Sequence, residues 1–342
     1  MSFVTQLEGG EVLRMRHFNI MGITTVMALL GSTALAQESR TFDVSLALGA
    51  QSHHAVGVHK FGEELERLSE GRLKIRPHYD NALGAEREVV EGIGLGLIDM
   101  GVTSTGPMGG FTSEFLLFDL PYIFRDHAHA HGFLDSEHGN TLAQRLQDAA
   151  GVKIIGWMEN GFRYETNSVR PINALEDLKG IKHRTQESSV QVDTWTALGT
   201  NAAPMAWTEV FTALQQGVME SQENPIPTIY DVKFNEVQDY LAMTQHVYSP
   251  APLMIGAQLF ESLSPEDQAI VLEAARIATP VQREASREMD ERLVGELEAL
   301  GMEVTRPDLA PFREAVQPVI DKWKDTVGTE LVDAAANFQP AQ

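Results

Sequence analysis

Two arginines carry the most pointed chemistry in this sequence, Arg163 in a Gly-Phe-Arg run and Arg184 in a short strand expected over 181–185. A guanidinium grips a carboxylate through two parallel charge-assisted hydrogen bonds, so either residue suits an organic acid. Each also has a structural reading, Arg184 as a surface strand residue and Arg163 as half of an ion pair between strands. Asn224, just ahead of Pro225, can donate and accept at once, or serve as a turn residue. Trp207 offers an aromatic face to a sugar ring, or a core side chain. Glu86 can accept from ligand hydroxyls, or simply favour the start of a helix. His53 and His54 fall in a loop expected over 49–54, and Ser104 follows a strand.

The same inventory lacks the parts of an enzyme. There is no cysteine, which removes thiolate nucleophiles, disulfides and cysteine metal sites together. No nucleophile elbow or Ser-His-Asp order appears. His127, His129 and His131 invite a metal reading, but only His127 and His131 share a helix face. No carboxylate or cysteine spacing completes a zinc set, so a solvated helix face is expected and no metal or other cofactor. Gly92, Gly94 and Gly96 end a helix ahead of a strand, the reverse of a dinucleotide loop. Arg170 reads as an exposed loop residue.

The elements that must position these groups alternate between strand and helix. Strands are expected over 42–48, 73–76, 97–102 and 152–157, and helices after 54 and from 85, which is an α/β pattern. Gly71 stops the first helix. An internal echo supports two similar halves: Ala85, Glu88, Val89 and Gly96 recur as Ala206, Glu209, Val210 and Gly217. Each copy reads as helix, glycine stop and strand. Thr103–Ser104–Thr105 and Gln222–Glu223–Asn224 then lie at strand carboxyl ends, where α/β sheets bind ligands. Glu86 and Trp207 correspond at the helix starts, so facing halves would present them to one cleft. The stretch 264–301, capped by Ser264 and Pro265, reads as one helix of ~54 Å that crosses both halves and kinks at Pro280, or as two helices.

The 342 residues suit two domains of about 150 each. With 43% hydrophobic and 22% charged residues the chain is globular. A net charge of −22 argues against nucleic acid as partner and favours a soluble monomer, so an anion must be held by local arginine. Arg14, Arg16 and His17 precede an apolar run over 20–30, too short to span a bilayer, and Ala34-Leu35-Ala36 matches a cleavage site. A signal peptide over 1–36 is expected, with Met1 or Met15 as its start and the periplasm as its destination.

Three stretches together resemble one family. They are Gly161-Phe162-Arg163 with Asn167 and Arg170-Pro171; 175–184, ending in Lys182-His183-Arg184; and Pro204-Met205-Ala206-Trp207 through Gly217 to Asn224-Pro225. They look like the DctP-type extracytoplasmic solute receptors of tripartite ATP-independent periplasmic (TRAP) transporters, over about 42–318. The resemblance implies a two-lobed, type II-like binding fold with hinge strands and a long helix shared by both lobes. One lobe would comprise 37–160 and about 248–285, the other 161–247 and about 286–310. The segment 311–342 would pack on the first lobe. It implies that Arg184 is the carboxylate clamp, with Arg163, Asn224 and Trp207 beside the ligand, and that membrane permease subunits receive it. His183 stands where the family has an aliphatic residue, and Glu220-Ser221 where it has Asp-Gly. A sugar acid, a uronate or aldonate, is the favoured ligand. A C4-dicarboxylate is the alternative if Arg163 supplies a second basic group. A secreted enzyme acting on such acids, or a receptor serving a signalling protein, are the other readings.

Overall fold

The computed structural model describes residues 39–340, so the export segment expected over 1–36 lies outside the described residues. Nine strands occur among them: β1 (Arg40–Leu46), β2 (Leu73–His78), β3 (Met100–Val102), β4 (Val152–Asn167), β5 (Lys182–Thr185), β6 (Asn201–Pro204), β7 (Ser221–Asn224), β8 (Tyr240–Gly256) and β9 (Glu303–Thr305). The helices are α1 (His53–Leu68), α2 (Glu86–Gly94), α3 (His127–Leu134), α4 (Glu137–Ala150), α5 (Ser189–Ala197), α6 (Val210–Gln215), α7 (Ile226–Asp231), α8 (Ala257–Ser262), α9 (Pro265–Ala299), α10 (Ala310–Val327) and α11 (Thr329–Asn337).

The strands form one sheet in the order β2-β1-β3-β8-β4-β7-β5-β6, with β9 added to β8. Its two ends mirror each other. The parallel set β2-β1-β3 and the parallel set β6-β5-β7 flank the long antiparallel pair β4/β8. The sequence echo falls on this symmetry, since α2 leading to β3 matches α6 leading to β7. Two half-sheets on a shared central pair make a two-lobed α/β molecule.

β4 and β8 each run through both halves, and their ladder slips register at Ile154/Gly156, Glu159/Gly161 and Arg163/Glu165. Such bulges bend and twist a strand. Gly161 sits at the middle slip with φ +119°, a conformation that L side chains rarely adopt. The strand expected over 152–157 is therefore only the first part of a longer crossing element.

α9 is a single helix of 35 residues, capped by Ser264 Oγ accepting from Asp267 N at 3.1 Å, and Pro280 lies inside it without ending it. Val271, Ala274, Ala275 and Ala278 form its buried stripe against α1, in a core shared with Phe42, Val44 and Phe61. Further along, α9 meets β4, α7 and β9, so it is common to both halves. α10 packs on α5 and on the turn 113–119, while Arg125 donates to the Ala336 carbonyl in the last turn of α11 and to the Phe338 carbonyl just beyond it. No helix among the described residues is long and apolar enough to cross a membrane.

Two of the boundaries that differ from the sequence expectation have a local cause. His53 and His54 are the first residues of α1 rather than loop residues, because Ser52 Oγ caps the helix by accepting from Ala55 N at 3.2 Å. β3 begins at Met100; the residues before it form a turn that leaves Leu97 exposed.

Candidate functional site

A nearly closed cavity, with only about 10 Å³ of free room, lies where the carboxyl ends of four strands converge. Ala47 and Leu48 follow β1, Ser104 follows β3, Gln186 follows β5, and Asn224 ends β7. His54 and Glu86 come from the starts of α1 and α2, with Trp207 at the corresponding place ahead of α6. Asn160 of β4 and Thr228 of α7 complete the wall. Strand carboxyl ends and helix starts leave backbone and side-chain polar groups free to meet a ligand, which is why α/β sheets bind there.

Of the residues read from sequence, His54, Glu86, Ser104, Trp207 and Asn224 line this cavity. Arg163, Arg184 and His53 stand behind the lining. Both guanidinium groups are buried, and each keeps one nitrogen, Nη1, without a hydrogen-bond partner. Arg184 donates from Nε (3.0 Å) and Nη2 (2.7 Å) to the Met205 carbonyl, which fixes the head 5.9 Å from the Trp207 ring. Burial lowers its pKa to about 10, so it remains a cation at neutral pH.

Arg163 is engaged differently. Its Nε and Nη2 pair with the Glu223 carboxylate on β7, Nη2 also reaches the Glu223 carbonyl at 2.8 Å, and it donates to Asn224 Oδ1 at 3.1 Å. Burial alone would raise the Glu223 pKa; Arg163 and His246, the latter 3.1 Å away, outweigh it and hold the carboxyl well below the usual range. The ion pair between strands is thus present, and it also orients the cavity amide of Asn224.

Glu86 accepts from Ser104 N (2.8 Å) and Ser104 Oγ (2.9 Å), and burial pushes its carboxyl upward. Gln186 Nε2 donates to the same Ser104 hydroxyl at 2.6 Å, joining the two half-sheets across the cavity. Asp119 makes a second bridge, accepting from Ser188 Oγ and Gln191 Nε2 at 2.7 Å each. His53 and His54 pack ring to ring at 4.3 Å beside Asn160. Burial lowers His53 to about 4 and His54 well below its ordinary value, so both are neutral.

The profile of the bacterial extracellular solute-binding protein family 7, DctP, matches residues 45–326. This chain belongs to the DctP family. A solute-binding protein of Verminephrobacter eiseniae is 40% identical over 309 residues, covering 90% of this chain and 91% of that one. A TRAP periplasmic solute-binding protein from Polaromonas sp JS666, bound to D-erythronate, superposes with a TM-score of 0.85 at 38% identity, covering 89% of this chain and 100% of that one. A sugar acid binding protein from Advenella mimigardefordensis in complex with galactonate gives 0.86 at 32% identity, with 88% and 98% covered. DctP proteins are extracytoplasmic solute receptors, and this chain is one.

Other expectations change within this DctP fold. Arg170 is not free in its loop. It is half-buried and donates to the Asp177 and Lys179 carbonyls at 2.7 Å each. His127, His129 and His131 are not a solvated face. His129 is buried and donates to the Ala335 carbonyl at 2.9 Å, while His127 and His131 both reach Glu159. The carboxylate that sequence spacing did not offer comes from β4. Gln186, Asn160 and Thr228 were missed as cavity residues because no motif marks them. For Gln186 a signal existed, since it directly follows the strand that holds Arg184.

Proposed function

We propose that this protein captures a sugar acid, in the first instance an aldonate, in the periplasm and delivers it to the membrane subunits of a TRAP transporter. One observation carries the reading. Arg184 is a buried cation, unpaired at Nη1, next to Trp207 of a cavity whose polar wall residues, Glu86, Ser104, Asn160, Gln186, Asn224 and Thr228, match hydroxyls. In a chain of net charge −22 such a cation has a use if an anion arrives to meet it. Arg184 takes the ligand carboxylate, Asn224 and Gln186 can serve it or its neighbouring hydroxyl, Glu86 and Asn160 accept or donate along the polyol, and Trp207 packs on its carbon chain. Ser104 and His54 shape the far wall, and His53 backs His54.

The charge balance favours one carboxylate over two. Arg163 is neutralised by Glu223, which makes it a poor second cation for a C4-dicarboxylate. The acids bound by the Polaromonas and Advenella proteins, D-erythronate and galactonate, are polyhydroxy monocarboxylates, in keeping with this balance. The lobes, 37–160 with about 248–285 and 161–247 with about 286–310, close about β4 and β8, held by Gln186–Ser104 and by Asp119 with Ser188 and Gln191.

A thermal-shift screen tests the proposal with D-erythronate, galactonate, glucuronate, succinate and galactose. Stabilisation by the sugar acids and none by galactose is expected. Succinate as the strongest stabiliser would replace the aldonate with a dicarboxylate. Chemical conversion of any acid during incubation would turn the receptor reading into an enzyme.

A further inference from the structure

Outside the cavity, His127 and His131 stand one turn apart on α3 with Glu159 of β4 between them. His127 Nδ1 lies 3.2 Å and His131 Nε2 2.6 Å from Glu159 Oε2, and the three ligand-type atoms fall within 4.8 Å of one another. Tyr248 donates its hydroxyl to the same oxygen at 3.0 Å. The other carboxylate oxygen, Oε1, has no hydrogen-bond partner although Glu159 is fully buried. Asp290 nearby also has a buried oxygen, Oδ1, without a partner.

We propose that His127, His131 and Glu159 form a binding site for a divalent transition-metal cation of the zinc class. Two imidazoles and one carboxylate are the ligands that zinc takes in open tetrahedral sites, at roughly 2.0–2.2 Å. Helical i and i+4 spacing points both imidazoles to one side of α3, as in other helix-borne zinc pairs. Calcium and magnesium want mostly oxygen donors, which this set does not supply. Hydrogen bonding alone satisfies only Oε2. A cation among the three groups also gives Oε1 an electrostatic partner in a buried setting, where an unpaired carboxylate oxygen is costly. Access is open on one side, since the His127 and His131 side chains keep 27% and 18% of their exposure while Glu159 keeps none. Tyr248, which donates to Glu159, stands where a second partner orients a metal ligand. The cation would brace α3 against the crossing strands β4 and β8. The site uses no residue of the cavity, so it stands or falls independently of the ligand reading.

The test is a Zn2+ titration of the chelator-stripped full chain in competition with a chromophoric chelator, repeated with Co2+ to read its visible spectrum. One Zn2+ per chain is expected, together with a Co2+ absorption of low-symmetry, imidazole-containing coordination. Loss of an outer-sphere partner already weakens metal sites by 10–100-fold, so His127→Ala and His131→Ala should each weaken binding by at least about 100-fold. His78→Ala, which removes another histidine paired with an acid, Asp43, should leave affinity unchanged. His127 is partly exposed, so its variant remains folded and informative even if Glu159→Gln does not. Absence of 1:1 binding to the folded parent, or a His127→Ala variant that binds as tightly as the parent, would overturn the site.

Discussion

His183 and Ser221 face each other on β5 and β7, with His183 Nδ1 2.7 Å from Ser221 Oγ. Ser221 Oγ in turn donates to Glu165 Oε1 at 2.7 Å, so it accepts from the imidazole N–H. The ring stacks on Trp195 with centroids 3.7 Å apart, directly beside Arg184 in sequence. Both are positions at which the sequence departs from the pattern it resembles, with Glu220 the third. His183 and Ser221 compensate each other: a buried imidazole needs a polar partner, and the serine supplies it.

The pair should therefore behave as a unit. His183→Leu alone strands the Ser221 hydroxyl's acceptor site, and Ser221→Gly alone strands the imidazole, each costing about 1–3 kcal/mol. The double variant should be less damaging than the sum, with a coupling of about 0.5–3 kcal/mol. Urea unfolding of the four proteins measures it. Strict additivity would mean that the two side chains do not depend on each other.

Closure should weaken when the bridge between the halves is cut. Gln186→Ala removes the 2.6 Å bond to Ser104 Oγ, worth about 1 kcal/mol, or roughly fivefold in ligand affinity. Small-angle scattering of the ligand-free variant should give a larger radius than the parent. An unchanged radius and affinity would remove Gln186 from the closing contact.

Much of this architecture was legible in the chain, and the part that was not has physical causes. Phe42, Val44 and Leu46 alternate as a half-buried strand does, and Ser264-Pro265 marks the start of α9. β8 was hidden because Pro250 and Pro252 argue against a central strand. They are tolerated where they lie opposite Glu159 and Trp157, since the ladder slips register on either side. Arg184 and Asn224 were visible through the motifs around them. Asn160 and Glu159 were not, because their partners come from distant segments: His131 and Thr228 meet this stretch only once the chain is folded.

Acidity should also register at the second bridge. Burial raises the Asp119 carboxyl from 3.8 to about 7, against the hydrogen bonds from Ser188 and Gln191. The folded protein then keeps a proton that the unfolded chain has already released. The stabilising contribution is fully present below the unfolded value and is lost as pH rises through the folded one. Asp119→Asn should gain more stability relative to the parent at about pH 8 than at about pH 5. Melting temperatures across that range read it; a gain that is equal at both ends would place the Asp119 titration elsewhere.

Trp207 should report binding. The sequence contains four tryptophans, and Trp207 alone lines the cavity, half-buried and edge-on to Phe234 at 5.8 Å. Adding galactonate should change the intrinsic fluorescence, and Trp207→Phe should abolish most of that change while retaining measurable affinity. A full signal in the Phe variant would assign it to another tryptophan.

The central claim is that Arg184 clamps the ligand carboxylate, and calorimetric titration of Arg184→Ala with D-erythronate and galactonate tests it most directly. A carboxylate left in the closed cleft without its cation should lose about 3–5 kcal/mol, a few-hundred- to few-thousand-fold in affinity. Arg184→Lys should recover little, because an ammonium cannot hold both the Met205 carbonyl and a carboxylate in one plane. A melting curve on the ligand-free variant shows whether the fold survives losing the Met205 contact. A folded Arg184→Ala protein that binds these acids as tightly as the parent would contradict the account and pass the clamp to Arg163.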